Sequence, residues 1–557
     1  MPYTGPFFDL HCHPSFKALL GTSDFQNARP LWDTIDVQLG RPLPLDWILE
    51  LFLDVLDSQS SGDQLLDGNV RLVVLNLYAL ENAYANTQVI KLLDGLSEQL
   101  NNVYLDRVRQ GTVSYAQLIL ESLRHLATSE APIVHNGRQY RVIHDMQQYR
   151  PAAEPKTLFF LLAMEGGHGF YPAGPMPTAA DDPAILAEVQ QFKQPTQRLL
   201  YVTMTHHAQN HLANHAFAVP EMFSGTGLGT GGAGGFNPVG TALTDSGQAF
   251  VKTCLDTSNG AKRILIDVKH LSWGARQELY ATWDNAVPLV ASHVGVTGLT
   301  AADVRFVDWV KEFADDPRCL LVKYKPLDTV TYEARRNFQA KIPFNPWSIN
   351  LFNEDILAIL ASKGLIGISL DKRVLGYGNP GNERFSKTDL TPAVKRVVPL
   401  TNPLVPATPL PRSTPQDRLD EFIAERQPVG QLVPLPPSGS GRQPEFHTDI
   451  TLEEPRYFCN NILHVAKVGL ANGHTDVWDR MCLGSDFDGL ISAIRFREIS
   501  LGAGRTADRL PVLARTVERH LTELTRKSAA YQNIAIPAGF MAKLFHDNAV
   551  EFLKKHF

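Results

Sequence analysis

The sequence lacks the features that mark several large classes of protein. No apolar run approaches the roughly 20 residues needed to cross a bilayer, and the N-terminal stretch MPYTGPFFDLHCH has neither the basic region nor the apolar core of a secretory signal. The 557 residues include 52 basic and 58 acidic side chains, a net charge of −6 without a long run of one sign. This balance argues against a nucleic-acid partner. Because both the long apolar run and the secretory signal are missing, we expect a cytoplasmic protein with no transmembrane segment.

Cysteine is also scarce. The five cysteines are widely spread and include no CxxC pair. Neither a disulfide framework nor a thiolate zinc site is therefore indicated, and the pattern fits a reducing compartment.

Short apolar runs rich in β-branched residues recur along the chain, and most end in a polar residue or a glycine. Such runs are typical of buried parallel strands. The eight runs are residues 7–13, 70–80, 157–166, 199–206, 264–270, 287–293, 365–371 and 480–489. Segments with helical periodicity lie between them, so the sequence predicts an α/β fold, a (β/α)₈ TIM-like barrel. A ninth apolar run, 317–325, would belong to an insertion.

Three segments exceed what a minimal barrel needs. Residues 81–156 have a mostly helical pattern, 222–247 form a glycine-rich loop, and 375–445 are rich in proline. The proline-rich composition cannot form a core alone. We therefore expect a single barrel domain over residues 1–557 with these three large loop insertions.

Side chains that could bind a metal or move a proton close six of the eight runs. They are His11, His13, Glu165, His206, His270, His293 and Asp486. The active site of a (β/α)₈ barrel lies at the C-terminal ends of its strands, so these side chains should meet. Each also has a structural interpretation, since a lone histidine is more often a hydrogen-bonded core residue and SDFDG could be a simple turn. Their coincidence at one rim favours a functional site.

Strand alternation refines the expected arrangement. Residues two apart share a face, so His11 and His13 can hold one ion. By the same rule Lys269 must point away from its neighbour His270.

The ligand types indicate the metal and the chemistry. Imidazoles and carboxylates suit Zn²⁺ or a similar divalent ion, and four histidines plus a glutamate exceed the three protein ligands of a usual catalytic zinc. They suffice for two ions that share a bridging carboxylate. Two ions about 3.5 Å apart would activate a bridging hydroxide and polarise a carbonyl oxygen. Asp486 would take a proton from that nucleophile and return it to a leaving amine, which predicts hydrolysis of an amide or ester.

Seven motifs, in order along the chain, resemble those of one family. They are DLHCH, AMEGGH, YVTMTHH, ALTDSGQAFVKTC, LIDVKHLS, VASHVG and LGSDFDG. The family is that of the membrane (renal-type) dipeptidases, metallopeptidase family M19, within the amidohydrolase superfamily. The motifs span most of the chain and leave the insertions uncovered.

The resemblance implies a binuclear site with two divalent metal ions, Zn²⁺ being the first choice. One ion would be bound by His11, His13 and Glu165, and the other by Glu165, His270 and His293. Asp486 would be the catalytic proton-transfer residue, and His206 would contact the substrate.

Two departures from the family pattern bear on the substrate. The first strand carries HxH where the family usually has HxD, and no arginine matches the family's carboxylate clamp, since Ile349 stands before Asn350 in NPWSINLFNEDIL. The leading prediction is a dipeptidase that cleaves a dipeptide or related small amide through a metal-bridging hydroxide. The alternatives are an amidohydrolase acting on a lactone or an N-acyl amino acid, and a non-catalytic metal-containing binding protein. The sequence leaves the oligomeric state open, with a homo-oligomer among the options.

Overall fold

The computed structural model describes most of the chain. The described residues are 2–21, 30–35, 57–87, 90–91, 100–123, 132–218, 235–258, 260–301, 307–313, 316–325, 330–335, 338–377, 381–388, 454–495 and 506–557. Half of the glycine-rich segment 222–247 and most of the proline-rich segment 375–445 lie outside these ranges. The predictions for those two segments therefore stay predictions.

Eight parallel strands form a closed barrel. They are β1 (Phe7–Cys12), β2 (Val70–Leu77), β3 (Thr157–Glu165), β4 (Leu199–Thr203), β5 (Leu265–Asp267), β6 (Val290–Val294), β7 (Leu365–Ile368) and β8 (Met481–Leu483), and each is hydrogen-bonded to the next. The ring closes between β8 and β1, where Cys12 pairs with Phe487 and the N–H of Asp486 donates to the carbonyl of His11 at 2.8 Å. All eight strands lie within the runs predicted from the sequence except for the last residue of β6. The (β/α)₈ fold is thereby confirmed.

The barrel strands are buried on both faces, as their continuous apolar sequences indicate. Every residue of β1 and of β3 is buried. Along β3, Phe159 and Leu161 belong to one apolar cluster, whereas Leu158 and Phe160 belong to another. Two buried faces are expected when helices cover the outside of a parallel sheet.

Helices occupy the connections. Their bounds are Pro14–Leu20, Gly62–Asp67, Asn82–Ala85, Asn102–Gln110, Tyr115–Ser122, Asp182–Gln191, Asp245–Leu255, Trp273–Ala281, Asn353–Ala361, Glu454–Ala471, Leu510–Lys527, Phe540–Ala542 and Asn548–His556. Ser272 caps one of them, since its hydroxyl accepts the N–H of Ala275. A serine at this position satisfies an otherwise free helix N–H. The cap fixes the start of Trp273–Ala281 three residues after His270. None of the helices found in the described ranges has the length and apolar character needed to cross a membrane.

The remaining strands lie outside the barrel ring. Val307–Glu312, Cys319–Tyr324 and Glu383–Ser386 form an antiparallel sheet, and Val330–Arg335 pairs with Phe338–Ile342. The ninth run thus contains a strand that lies outside the barrel ring. In segment 81–156 a hairpin of Ile133–His135 and Arg138–Val142 follows the described helices Asn82–Ala85, Asn102–Gln110 and Tyr115–Ser122. The division into one domain with three insertions remains a prediction.

Candidate metal centre and active site

The structure places all seven candidate side chains at the C-terminal ends of barrel strands. His11 and His293 lie within β1 and β6, Glu165 ends β3, and the others follow their strands by one to three residues. None of the seven is more than 7% exposed. The fold therefore brings together, inside one buried region, residues that are up to 475 positions apart in sequence.

Four histidine nitrogens converge on one carboxylate. The Nε2 atoms of His13 and His270 lie 3.0 and 3.1 Å from Glu165 oxygens, and those of His11 and His293 lie 3.4 Å away. The Nε2 atoms also approach each other in pairs, at 3.0 Å for His11 with His13 and 3.1 Å for His270 with His293. Two sets of donor atoms lie within 4.8 Å of one another: His11, His13 and Glu165, and Glu165, His270 and His293. These are the two ligand sets that the family resemblance implies, and their role in binding ions remains a prediction.

Hydrogen bonds behind the rings fix which nitrogen faces the carboxylate. The Ser292 hydroxyl lies 3.1 Å from Nδ1 of His11 and 2.8 Å from Nδ1 of His293, and the Tyr201 hydroxyl lies 2.9 Å from Nδ1 of His11. Outer partners of this kind orient imidazole ligands in metal sites. With Nδ1 engaged, both rings present Nε2 to Glu165.

The protonation states suit metal ligands. Burial lowers the pKa of His11 to about 4 and holds the pKa values of His270 and His293 well below the usual range. Neutral imidazole is the form that binds metal ions. The same burial would lower the pKa of His13, but the carboxylates of Glu165 and Asp486 outweigh it and raise that pKa to about 10. The raised pKa of His13 therefore reflects the negative charge of these two carboxylates. A divalent cation could balance the same charge, so the donor set fits divalent ions.

The end of β5 differs from the alternation expected from the sequence. His270 has φ 67°, a left-handed backbone conformation that β-strands do not contain. Strand β5 already ends at Asp267, so the rule that neighbours point to opposite faces does not apply beyond it. His270 Nε2 reaches Glu165, and the charge of Lys269 is close enough to lower the pKa of His11 and of His293. The expectation that Lys269 points away from its neighbour His270 rests on that rule and stays a prediction.

Asp486 lies at the edge of the histidine cluster. Its Oδ1 atom is 3.6 Å from Nε2 of His13 and 3.8 Å from Nε2 of His11. Burial, the largest cause, raises the pKa of this carboxyl to about 6. Asp486 belongs to neither of the two donor sets, so it is placed beside a potential metal site without completing it.

His206 is held by a carboxylate that the sequence analysis did not identify. Oε1 of Glu81 lies 2.7 Å from Nδ1 of His206, and Oε2 accepts the Tyr78 hydroxyl. Nε2 of His206 then lies 3.9 Å from Glu165. The signal was present, since Glu81 directly follows the second apolar run. His207 and Asp267 were also missed. His207 forms a further group of possible ligands with His206 and His270, and Asp267 forms another with His11 and His293.

Replacing Glu81 by glutamine should lower kcat by roughly 10- to 100-fold, as removal of an orienting partner does elsewhere. The amide would no longer fix the ring of His206, whereas the two donor sets around Glu165 are untouched. Steady-state kinetics and metal analysis of the purified variant test this expectation. A parallel loss of metal would contradict it, because Glu81 would then support the metal ligands rather than His206.

A cavity of about 610 Å³ lies beside Glu81 rather than over the histidine cluster. Its lining includes Tyr115, His168, Tyr171 and Phe236, and includes none of the four histidines that converge on Glu165. The position of this cavity therefore does not identify where a substrate would contact the four histidines around Glu165.

Ile349 and Asn350, singled out in the sequence segment NPWSINLFNEDIL, have structural roles here. Asn350 donates to the carbonyls of Asn345 and Val374, at 3.0 and 2.8 Å, and accepts the N–H of Gly295 at 3.2 Å. Ile349 is buried. Neither side chain can bind a substrate carboxylate.

Comparisons with known proteins find similar structures only. No family model matches the chain, and no curated protein matches it. The similar structures include dipeptidase AC, a metallopeptidase of family M19, with 14% identity over 100% of this chain and 99% of that chain and a TM-score of 0.47. A metallopeptidase from Rhodobacter sphaeroides, liganded with a phosphinate mimic of the dipeptide L-Ala-D-Ala, has 12% identity over 100% of both chains and a TM-score of 0.45.

The probable dipeptidase PvdM from Pseudomonas aeruginosa has 13% identity over 90% of both chains, with a TM-score of 0.44. Because all three TM-scores are below 0.5, these similarities do not assign a function. The functional argument depends on the geometry of the site.

Proposed function

We propose that this protein is a metal-dependent hydrolase with a binuclear zinc site, and that it cleaves a dipeptide or a related small amide. The observation that carries the proposal is the convergence of four imidazole Nε2 atoms, at 3.0–3.4 Å, on the carboxylate of Glu165. A buried cluster of this kind is unfavourable unless a cation compensates the carboxylate and engages the nitrogens.

Each side chain has a distinct role in the proposal. Bound divalent ions would supply a Lewis acid for the scissile carbonyl and would activate water at neutral pH. Glu165 would belong to both donor sets. His11 and His13 would complete one set, and His270 and His293 would complete the other. Asp486 accepts a proton from the attacking water and returns it to the amine that leaves.

His206 would contribute a hydrogen-bond donor to the site. Burial disfavours its charged form, but the carboxylates of Glu81 and Glu165 outweigh burial and raise its pKa. Because Nδ1–H of His206 donates to Glu81, Nε2 carries a hydrogen only in the charged imidazolium, and this form can stabilise the oxygen on which charge develops during attack. We propose this contact as the role of His206.

Metal loading and a substrate panel test the proposed function. The purified chain should bind two equivalents of Zn²⁺, lose activity when a chelator removes them, and recover it when zinc is restored. The panel should contain L,L- and L,D-dipeptides, N-acyl amino acids and lactones. Cleavage of dipeptides supports the proposal, cleavage of only the other compounds would assign a different amidohydrolase activity, and absence of tightly bound metal would exclude the mechanism.

A further inference from the structure

Ser292 links the two donor sets. Its hydroxyl oxygen lies 3.1 Å from Nδ1 of His11, which belongs to one set, and 2.8 Å from Nδ1 of His293, which belongs to the other. The second histidine of each set differs, since Nδ1 of His13 and Nδ1 of His270 are buried and have no hydrogen-bond partner in the part of the chain that the structure describes. Ser292 itself is fully buried. One hydroxyl group therefore contacts one ring of each set from behind.

The hydrogen of the Ser292 hydroxyl decides which form these two rings can take. A neutral imidazole carries its hydrogen on only one nitrogen, so a ring that binds an ion through Nε2 must carry its hydrogen on Nδ1, the nitrogen that faces Ser292. If the serine donated its own hydrogen to Nδ1, that ring would carry a hydrogen on Nε2 and could not bind an ion there. The Tyr201 hydroxyl, also beside Nδ1 of His11, creates no such conflict, because it donates to the carbonyl of Leu10 at 2.9 Å. Both ions can bind only when the serine hydrogen is donated to another acceptor.

Asp267 offers that acceptor. Its Oδ1 atom accepts the backbone N–H groups of Lys269 at 3.0 Å and of Ser292 at 3.1 Å, whereas Oδ2 is buried and has no hydrogen-bond partner among the described residues. One oxygen of this carboxylate lies within 4.8 Å of a ring nitrogen of His11 and of His293. A buried acceptor without a partner is unfavourable. Donation from the Ser292 hydroxyl to Oδ2 would satisfy it, and the backbone of the same serine already binds this carboxylate.

We propose that Asp267 and Ser292 are positioning residues that allow both ions to bind at once. Asp267 accepts the hydrogen of the Ser292 hydroxyl, and the oxygen of that hydroxyl then accepts Nδ1–H of His11 and Nδ1–H of His293. Each ring is thereby held in the form whose Nε2 carries no hydrogen and faces Glu165. The inference rests on the proposed function, because it requires two ions, and it gives a role to two residues that belong to neither of the proposed ligand sets.

The variant Asp267→Asn reverses the direction of the proposed hydrogen bond. The two backbone N–H groups at Oδ1 require an oxygen there, so the amide places its NH₂ group at the position of Oδ2. That group donates to the oxygen of Ser292, and the serine hydrogen must then go to a ring. Because the Tyr201 hydroxyl can accept Nδ1–H of His11, we expect His293 to receive it. The affinity for one of the two zinc equivalents should therefore fall roughly 10- to 100-fold, as it does when an outer partner of a metal ligand is lost.

The variant Ser292→Ala gives a result that a purely structural role does not predict. In the otherwise unchanged chain it should weaken both zinc equivalents, because one ring of each set loses its acceptor. In the Asp267→Asn chain it should instead raise the affinity for the weakened equivalent several-fold, because it removes the hydrogen that blocks the ring. Asp256→Asn and Ser258→Ala are matched controls, since Asp256 accepts the N–H and the hydroxyl of Ser258 at 2.9 Å each on the exposed surface.

Zinc titrations of the full-length wild type, the single variants and the double variant, in competition with a chelator of known affinity, measure these effects without a substrate. They are run well above pH 7, because burial raises the pKa of Asp267 to about 7 and the charged carboxyl is the acceptor. Thermal unfolding of the metal-free proteins checks that each variant folds.

Weaker zinc binding on Ser292→Ala in both chains would overturn the inference, as would unchanged binding in Asp267→Asn or an effect of Ser292→Ala on one equivalent alone. If the wild type shows the expected pattern but cleaves no dipeptide, the proposed activity fails and the role of Asp267 and Ser292 stands. If the wild type cleaves dipeptides with two bound ions but the variants bind zinc as it does, the activity stands and this role fails. A wild type without two tightly bound ions would overturn both.

Discussion

Replacement of Glu165 by glutamine is expected to remove most of the bound zinc and to lower kcat/KM by on the order of a thousandfold or more, the equivalent of several kcal/mol of transition-state stabilisation. All four converging histidines lie within 3.4 Å of this one carboxylate. The amide keeps the size of the side chain but loses its charge, and its nitrogen cannot bind a cation. Both donor sets would therefore be weakened together.

Metal analysis of wild type and Glu165→Gln, purified side by side, measures this effect. Glu551→Gln is a suitable control, because the Glu551 side chain is 62% exposed and pairs with Lys554 on the last helix. Two equivalents of metal in wild type and a sharp decrease in the variant would support a shared bridging carboxylate. A loss of only one equivalent would indicate that Glu165 serves one ion and that the second is held by other residues.

Replacement of Asp486 by asparagine should lower kcat by roughly 10²- to 10⁴-fold, the range typical of losing a proton-transfer group. The asparagine would occupy the same space beside His13 but could not accept a proton. Metal content should stay at the wild-type value, since Asp486 belongs to neither donor set. Single-turnover kinetics together with metal analysis check both parts of this prediction.

Asp479→Asn is the matched control for Asp486→Asn. Asp479 has a 50% exposed side chain and pairs with Lys543 at the surface, so this variant should keep its activity. If Asp486→Asn lost metal as well as activity, Asp486 would be a ligand rather than a proton carrier. If it kept full activity, another group would have to move the proton.

The sequence was sufficient to predict the barrel because its signal is repeated. Each apolar run is short and ends in a polar residue, and any one of them could be misread, but eight in succession separated by helical segments leave few other folds. The histidines and Glu165 could be predicted for a related reason. They end their runs, and parallel strands in a barrel all end at the same face.

The other features of the site depended on three-dimensional geometry that the periodicity of the sequence does not encode. Strand β5 ends at Asp267 and His270 has a positive φ, so strand alternation does not apply at His270, although its ring meets Glu165. Glu81 was overlooked because it follows its apolar run instead of ending it, and only the fold shows that it meets His206, 125 positions away. The contacts of Asn350 with backbone groups likewise become visible only in three dimensions.

The closure of the barrel also bears on how the site is assembled during folding. The N–H of Ser485 donates to a carboxylate oxygen of Asp9 at 2.8 Å across a sequence separation of 476 residues. Contacts between such distant positions carry a large loop-closure entropy and slow the search for the native topology. Strands β1 to β6 contain or precede every proposed metal ligand, whereas Asp486 joins them only when β8 docks against β1. The contact that places Asp486 beside the proposed ligands therefore closes a longer loop, at a larger entropic cost, than any contact among those ligands.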